Sequence, residues 1–130
     1  MRFKNNSHKR RFMDAIKKMD PKDNTQMSVV FLVTADKLLW NRCRIYMVNN
    51  QIPIHRVRLK QAKEESYLLF CAAKDIALGT THVSMGDLVD KDMVSKQLWQ
   101  LIFTALEIKR FGVGMVIPYP KQAEKKKGGM

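Results

Sequence analysis

Apolar residues recur along this chain at helical spacing, in blocks separated by turn-forming residues. Phe12, Ile16 and Met19 stand at i, i+4 and i+7, one stripe of a first helix that Ser7 can cap and that Met13 and Ala15 widen. Asp20-Pro21 stops it, because a residue that precedes proline is pushed out of helical geometry. Asp23, Asn24 or Thr25 can cap a second helix through Met27, Val30, Phe31 and Thr34. The run from Ser28 to Val33 is β-branched and would also suit a short buried strand. The apolar spacing continues through Leu38, Leu39, Cys43, Tyr46 and Met47, which favours helix, with a break near Ala35-Asp36. Asn49-Asn50 is a good stop, since Asn tolerates the left-handed conformation after a helix.

The stretch from Ile52 to Lys60 is different. Pro53 argues against helix there, and the β-branched residues suggest a short extended segment near residues 52–59. Side chains alternate along such a segment, so Arg56, Arg58 and Lys60 would share one side. Helical signals return from Ala62 to Leu78, with Tyr67, Phe70/Cys71, Lys74 and Leu78 on one period and Gly79 as the stop. Gly86 to Asp90 reads as a short helical turn. A last helix, capped by Asp90 or Asp92, runs through Met93, Leu98, Leu101/Ile102, Ala105 and Ile108, with Lys109 and Arg110 matching the dipole and Gly112 ending it. Val113 to Tyr119 is expected to pack as an extended arm. The fold class is therefore mainly α: a single small helical domain of four or five helices over residues 1–119, followed by a disordered basic tail over residues 120–130.

Charge changes this picture from a generic helical domain to one with a preferred kind of partner. The chain has 130 residues and a net charge of +12, unevenly placed. Residues 1–22 carry +6, residues 37–63 carry seven cations and no acid, and residues 64–110 carry −2. A field of one sign on that scale attracts polyanions and speeds their encounter with the surface. His8, Lys9, Arg10 and Arg11 fall in the expected first turn of the first helix, where cations oppose the dipole; that conflict favours their retention for a ligand. The candidate phosphate-binding residues are Lys9, Arg10, Arg11, Lys17 and Lys18 in the first block, with Arg42, Arg44, Arg56, Arg58 and Lys60 in the second. Trp40 and Tyr46 lie beside the second block, where they could stack on exposed bases or fill the core. Ordinary solvation of helix faces, or internal pairing with the acids of residues 64–92, is the competing account of the cations.

Other chemistry is weakly represented. The three histidines, His8, His55 and His82, have no partner at zinc-ligand spacing. Cys43 and Cys71 make no disulfide framework, and a reducing cytoplasm is the expected setting. A Cys–His nucleophile pair, Cys71 with His82 or His55, is outweighed by buried structural thiols. Asp87, Asp90 and Asp92 suit helix capping better than a calcium loop. Gly112-Val113-Gly114 lacks the Gly-Lys-Ser/Thr of a phosphate loop. No apolar run approaches the roughly 18–20 residues of a membrane span. A non-enzymatic protein without cofactor, metal or membrane partner is expected.

Three segments together resemble a known group. They are Phe3, Ser7-His8 and Phe12; the Val57-Arg58-Leu59-Lys60 run ahead of Glu65-Ser66-Tyr67-Leu68-Leu69-Phe70, Ala73 and Ala77-Leu78-Gly79; and Asp87-Leu88, Asp90, Ala105 and Ile108-Lys109-Arg110. The layout resembles an uncharacterised family of small helical proteins carried on phages and conjugative elements of Gram-positive bacteria. That resemblance implies a mobile-element accessory protein with a helical fold, and names neither substrate nor site. Two functions are expected from the residues: nucleic-acid binding (DNA or RNA) through the two basic segments, or an inhibitor or adaptor of the anti-defence kind, docking onto a host protein through Met and basic side chains.

Overall fold

A computed structural model describes residues 2–60 and 62–117. Its organising element is the helix Asn24–Val33, in which every residue from Met27 to Val33 is buried. A helix apolar on all sides has no face to give to water, so its neighbours must enclose it. Among the described residues six α-helices make up the fold: α1 (Asn6–Ala15), α2 (Asn24–Val33), α3 (Lys37–Cys43), α4 (Glu64–Leu78), α5 (Met85–Val89) and α6 (Lys96–Phe111). α2 packs most extensively against α6 and α4, with α1 and α3 closing its remaining sides. The chain is thus a small, mainly helical single domain, as the apolar spacing predicts. Among the described residues there is no strand beyond an isolated bridge between Val48 and Gln51, and no helix long and apolar enough to cross a membrane.

Side-chain caps set the helix starts. Asp23 accepts from the Gln26 N–H at 3.1 Å and so opens α2. Asp36 accepts from the Leu39 N–H at 3.0 Å and begins α3 at the expected break. Asp36 also accepts from the Ser66 hydroxyl at 2.6 Å, tying the start of α3 to α4. Two caps differ from expectation. Asn5, not Ser7, opens α1 by accepting from the His8 N–H at 2.8 Å. Ser95, not Asp90 or Asp92, opens α6 by accepting from the Leu98 N–H at 3.1 Å. Met93 lies outside α6 and is half exposed.

The inward faces also differ in places. α4 buries Ser66, Leu69, Phe70, Cys71, Ala72 and Ala73, whereas Tyr67 and Leu78, placed on the core stripe by spacing, are exposed. Nearly every residue from 66 to 73 is small or apolar, so periodicity could not choose a face; the packing of α4 against α2 and α6 does. α1 buries Phe12 as expected but leaves Met13 exposed, and it hands over to a 3₁₀ turn, Ile16–Lys18, before Asp20-Pro21. Val113–Met115 forms a 3₁₀ turn that buries Val113, rather than the start of an extended arm. The rest of that arm, Pro118-Tyr119, and the basic tail lie outside the described residues.

Candidate nucleic-acid interface

The first basic block sits on α1 and the 3₁₀ turn after it. Lys9, Arg10, Lys17 and Lys18 are exposed. Arg11 is not free: it is half-buried, and its Nε–H donates to the Thr34 carbonyl at 2.8 Å. A cation at the last carbonyls of α2 complements that helix's dipole, so Arg11 holds α1 against the α2–α3 corner. Lys17 lies 3.3 Å from Asp14, an exposed pair of small energetic value.

His8 overturns the expected conflict with the dipole. It is fully buried, packed edge-on to Phe3 and against Phe31. Nε2 is 2.8 Å from the Phe31 carbonyl oxygen, which can only accept, and Nδ1 is 2.9 Å from the Lys4 backbone N–H, which can only donate. The ring is therefore the neutral Nε2–H tautomer. Burial pushes its pKa down to about 4; the nearby charges of Arg11 and Lys4 add to this, and the Phe31 bond opposes it. Because α1 starts at Asn6, Arg10 and Arg11 fall in its second turn, and Lys9 is the only charged side chain in the first. The dipole gives no reason to reserve these residues for a ligand.

The second block is built on α3 and the irregular chain after it. Arg42 and Arg44 are exposed near the end of α3 and the start of the following 3₁₀ turn, Arg44–Tyr46. Trp40 and Tyr46 are half-buried against the core, and the exposed apolar residues of this block are aliphatic: Leu38, Ile45 and Val48. Asn49 and Asn50 both have positive φ, 53° and 59°, but they do not end a helix. Val48 and Gln51 exchange both backbone N–H···O bonds at 3.0 Å, so the two Asn residues form the tip of a tight two-residue hairpin. Positive φ at both central positions is what such a turn demands.

Gln26 fixes that hairpin to α2. Its amide accepts from the Ile52 N–H at 2.9 Å and donates to the Ile52 carbonyl at 3.3 Å, pairing like a second backbone. The chain then makes a 3₁₀ turn, Ile54–Arg56, in place of the expected extended segment across 52–59. Alternation survives only beyond it. Val57 is buried and Leu59 half-buried, while Arg58 and Lys60 face water along with Arg56.

The hairpin is where the two blocks meet. Lys18 and Asn49, Asn50 and Gln51 line one groove of about 210 Å³. Asn49 and Gln51, with His55 and Arg56, line the next, of about 390 Å³. Lys18 and Arg56 therefore stand on either side of one exposed turn. Asp20 and Asp23 share the first groove, where they accept the Lys22 and Gln26 backbone N–H groups and set two carboxylates beside Lys18. Sequence reasoning missed Asn49, Asn50 and Gln51 as candidates. Their signal was the Asn pair, which fits a hairpin tip as well as a helix stop.

The remaining chemistry is structural in its local geometry. Burial pushes the Cys43 thiol up to about 12 and also raises Cys71, with the Tyr67 hydroxyl opposing the latter, so neither thiol favours the nucleophilic thiolate form. Asp87 and Ser84 make a reciprocal cap on α5, and Asp90 accepts from the Asp92 N–H at 3.0 Å. The Asp75 carboxylate accepts from the Thr80 hydroxyl, the backbone N–H groups of His82 and Val83 and the His82 ring, at 2.6–2.9 Å. Burial raises its pKa, but these four bonds outweigh it and pull the carboxyl below the usual range. We expect Asp75→Ala to cost about 1–3 kcal/mol in urea unfolding and to increase hydrogen exchange at His82 and Val83. An unchanged midpoint would show that the loop 79–83 holds without it.

Comparison with protein-family models, curated proteins and solved structures gives no match for this chain.

Proposed function

We propose that this protein binds nucleic acid without acting on it chemically, as an accessory protein of a mobile element. Phosphates would lie across the surface where Lys18 and Arg56 flank the Asn49–Gln51 hairpin, with the other exposed cations extending the footprint. One observation carries the reading. Nine of the ten candidate cations are exposed, and among the described residues only Lys17 of the ten is in an ion pair. Of the acids of residues 64–92, Glu65 pairs with Lys4 of the first block and Asp75 with His82. Apart from Arg2, Lys4 and Lys17, internal pairing among the described residues leaves the cations of the two blocks uncompensated, and a surface of that kind binds polyanions by releasing their condensed counterions. Arg11 is outside this surface role, since it already serves the α2–α3 corner.

The test is a fluorescence-anisotropy titration of labelled duplex and single strand, repeated across a salt series. Binding should weaken linearly in log K against log salt, with a slope of about −0.9 per phosphate neutralised on a duplex. Replacing Arg42, Arg44, Arg56 and Arg58 together by Gln should flatten that slope by about 1 for each phosphate left without its arginine, with little change in stability because all four are exposed. Absence of binding at about 50 mM salt, or binding with no salt slope, would reject the reading.

A further inference from the structure

Trp40 and Tyr46 pack against the core, but α6 carries two aromatic rings that face water. Trp99 and Phe103 stand at i and i+4, 37% and 40% exposed. Their rings stack, with centroids 4.5 Å apart and planes 30° from parallel. Two rings stacked on each other leave an outer face on each for a further ring. Trp99 lines two grooves. Phe103 shares one of about 460 Å³, and the other, of about 510 Å³, lies between α6 and the end of α5. Both are roomy enough for a planar ring system.

Charge indicates which ring system fits. In the α5–α6 groove Lys91 and Lys96 stand beside Trp99 and Gln100, and among the described residues no carboxylate lines it. Both lysines are exposed, and among the described residues neither is in an ion pair. Lys96 opens α6, which has no acid in its first turn, so the positive end of the helix dipole adds to the field there. On the other side of Trp99, Arg2 and Lys4 line the second groove. Its one carboxylate, Glu107, is paired with Arg2, and Lys4 lies 3.7 Å from Glu65. Pairs as open to solvent as these are weak, so a phosphate can compete for either cation. Tyr67 gives the contrast. It is exposed too, but its groove is lined by Glu64, Asp90 and Asp92, which repel a phosphate.

We propose that the Trp99–Phe103 stack binds unpaired bases of a single-stranded nucleic acid, with Lys91 and Lys96 holding the phosphates that flank the base on Trp99. Such a base extends the ring stack by one, and stacking of this kind accepts any base because each has a π-face. The Gln100 amide, which lines both grooves, offers a donor and an acceptor to the base edge. A duplex cannot use the site without extruding a base, because its bases are already paired and stacked. The proposal rests on the nucleic-acid reading above and narrows it, at this site, to strands with unpaired bases.

Tryptophan emission tests it. The chain has two Trp, so Trp40→Phe leaves Trp99 as the sole reporter. A labelled oligo(dT) of about 15 nucleotides, titrated at about 50 mM salt, should quench Trp99 in step with its own anisotropy, whereas a duplex of equal length should bind without quenching. Trp99→Leu should weaken oligo(dT) binding at least about fivefold and leave duplex binding within about twofold, with the wild-type circular dichroism. Should that variant fold poorly, Lys91→Gln with Lys96→Gln, both exposed, gives a second reading: the single-strand salt slope should flatten by about 0.7 for each lysine. Oligo(dT) bound without quenching, equal quenching by the duplex, or an unchanged slope in the lysine variant overturns the proposal and leaves the broader reading standing. Absence of binding to both strand and duplex overturns the two together.

Discussion

Lowering the pH from 7 to 4.5 is expected to cost this protein about 2–3 kcal/mol of stability, most of it through His8. The pKa of His8 is about 4 in the folded chain against 6.5 in a free side chain. The unfolded chain therefore binds the extra proton first as pH falls. Stability from this group is complete above pH 6.5 and is lost progressively between 6.5 and 4. The full difference corresponds to about 3 kcal/mol at roughly 1.4 kcal/mol per pKa unit. The physical reason is local: protonated Nδ1 could no longer accept from the Lys4 N–H, and the charge would sit inside a Phe3, Phe12 and Phe31 cluster. Asp75 works in a separate window. Its depressed carboxyl contributes stability above about pH 4 that is lost only as pH falls further. Urea unfolding at pH 7, 5.5 and 4.5 reads the His8 effect. His8→Gln, which can still donate and accept but does not titrate, should be weaker at pH 7 and flatter across that range. A wild type equally stable at pH 7 and 4.5 would sink this account.

Ser28→Leu is the substitution expected to cost most at the centre of the fold, about 3 kcal/mol or more. Ser28 is fully buried where α2 crosses α6, and its hydroxyl donates to the Ala105 carbonyl at 2.6 Å. Two small residues face each other there, Ser28 and Ala105, both 0% exposed. Close packing leaves no room for the larger side chain without moving a helix, and overpacking alone costs typically about 1–3 kcal/mol. The lost hydrogen bond adds about 1 kcal/mol. Ser28→Ala should lose only that second part. Chemical denaturation of the two variants separates the effects: equal midpoints would mean that the crossing is looser than its geometry implies.

Much of the helical layout is legible from neighbouring residues. The break at Ala35-Asp36, the stop at Gly79, the short turn near residues 86–90 and the inward residues Leu98, Leu101, Ile102, Ala105 and Ile108 all follow from local signals. Gly79, with φ 74°, and Gly112, with φ 103°, adopt backbone conformations that suit glycine. Less of the candidate site could be read. Ten cations are visible in the chain, but their order does not separate Arg11, turned inward to Thr34, from Arg10, left in water. By sequence, His8 is one more basic residue beside Lys9; its position against Phe31 makes it a neutral core residue. Trp40 and Tyr46 fit a stacking platform and the core equally well, and packing chose the core.

Two kinds of information are therefore at work in this chain. Helix positions, most helix ends and the segregation of charge into two basic blocks are properties of neighbouring residues. They follow from short-range sterics, capping and composition, and the sequence alone determined them. Which side of α4 faces inward, whether His8 is charged, and how Lys18 and Arg56 come to flank one turn depend on residues dozens of positions apart. Those were decided only when α2, with no polar side of its own, drew the other helices around it, because burial energy is shared among whoever arrives and no single segment carries it.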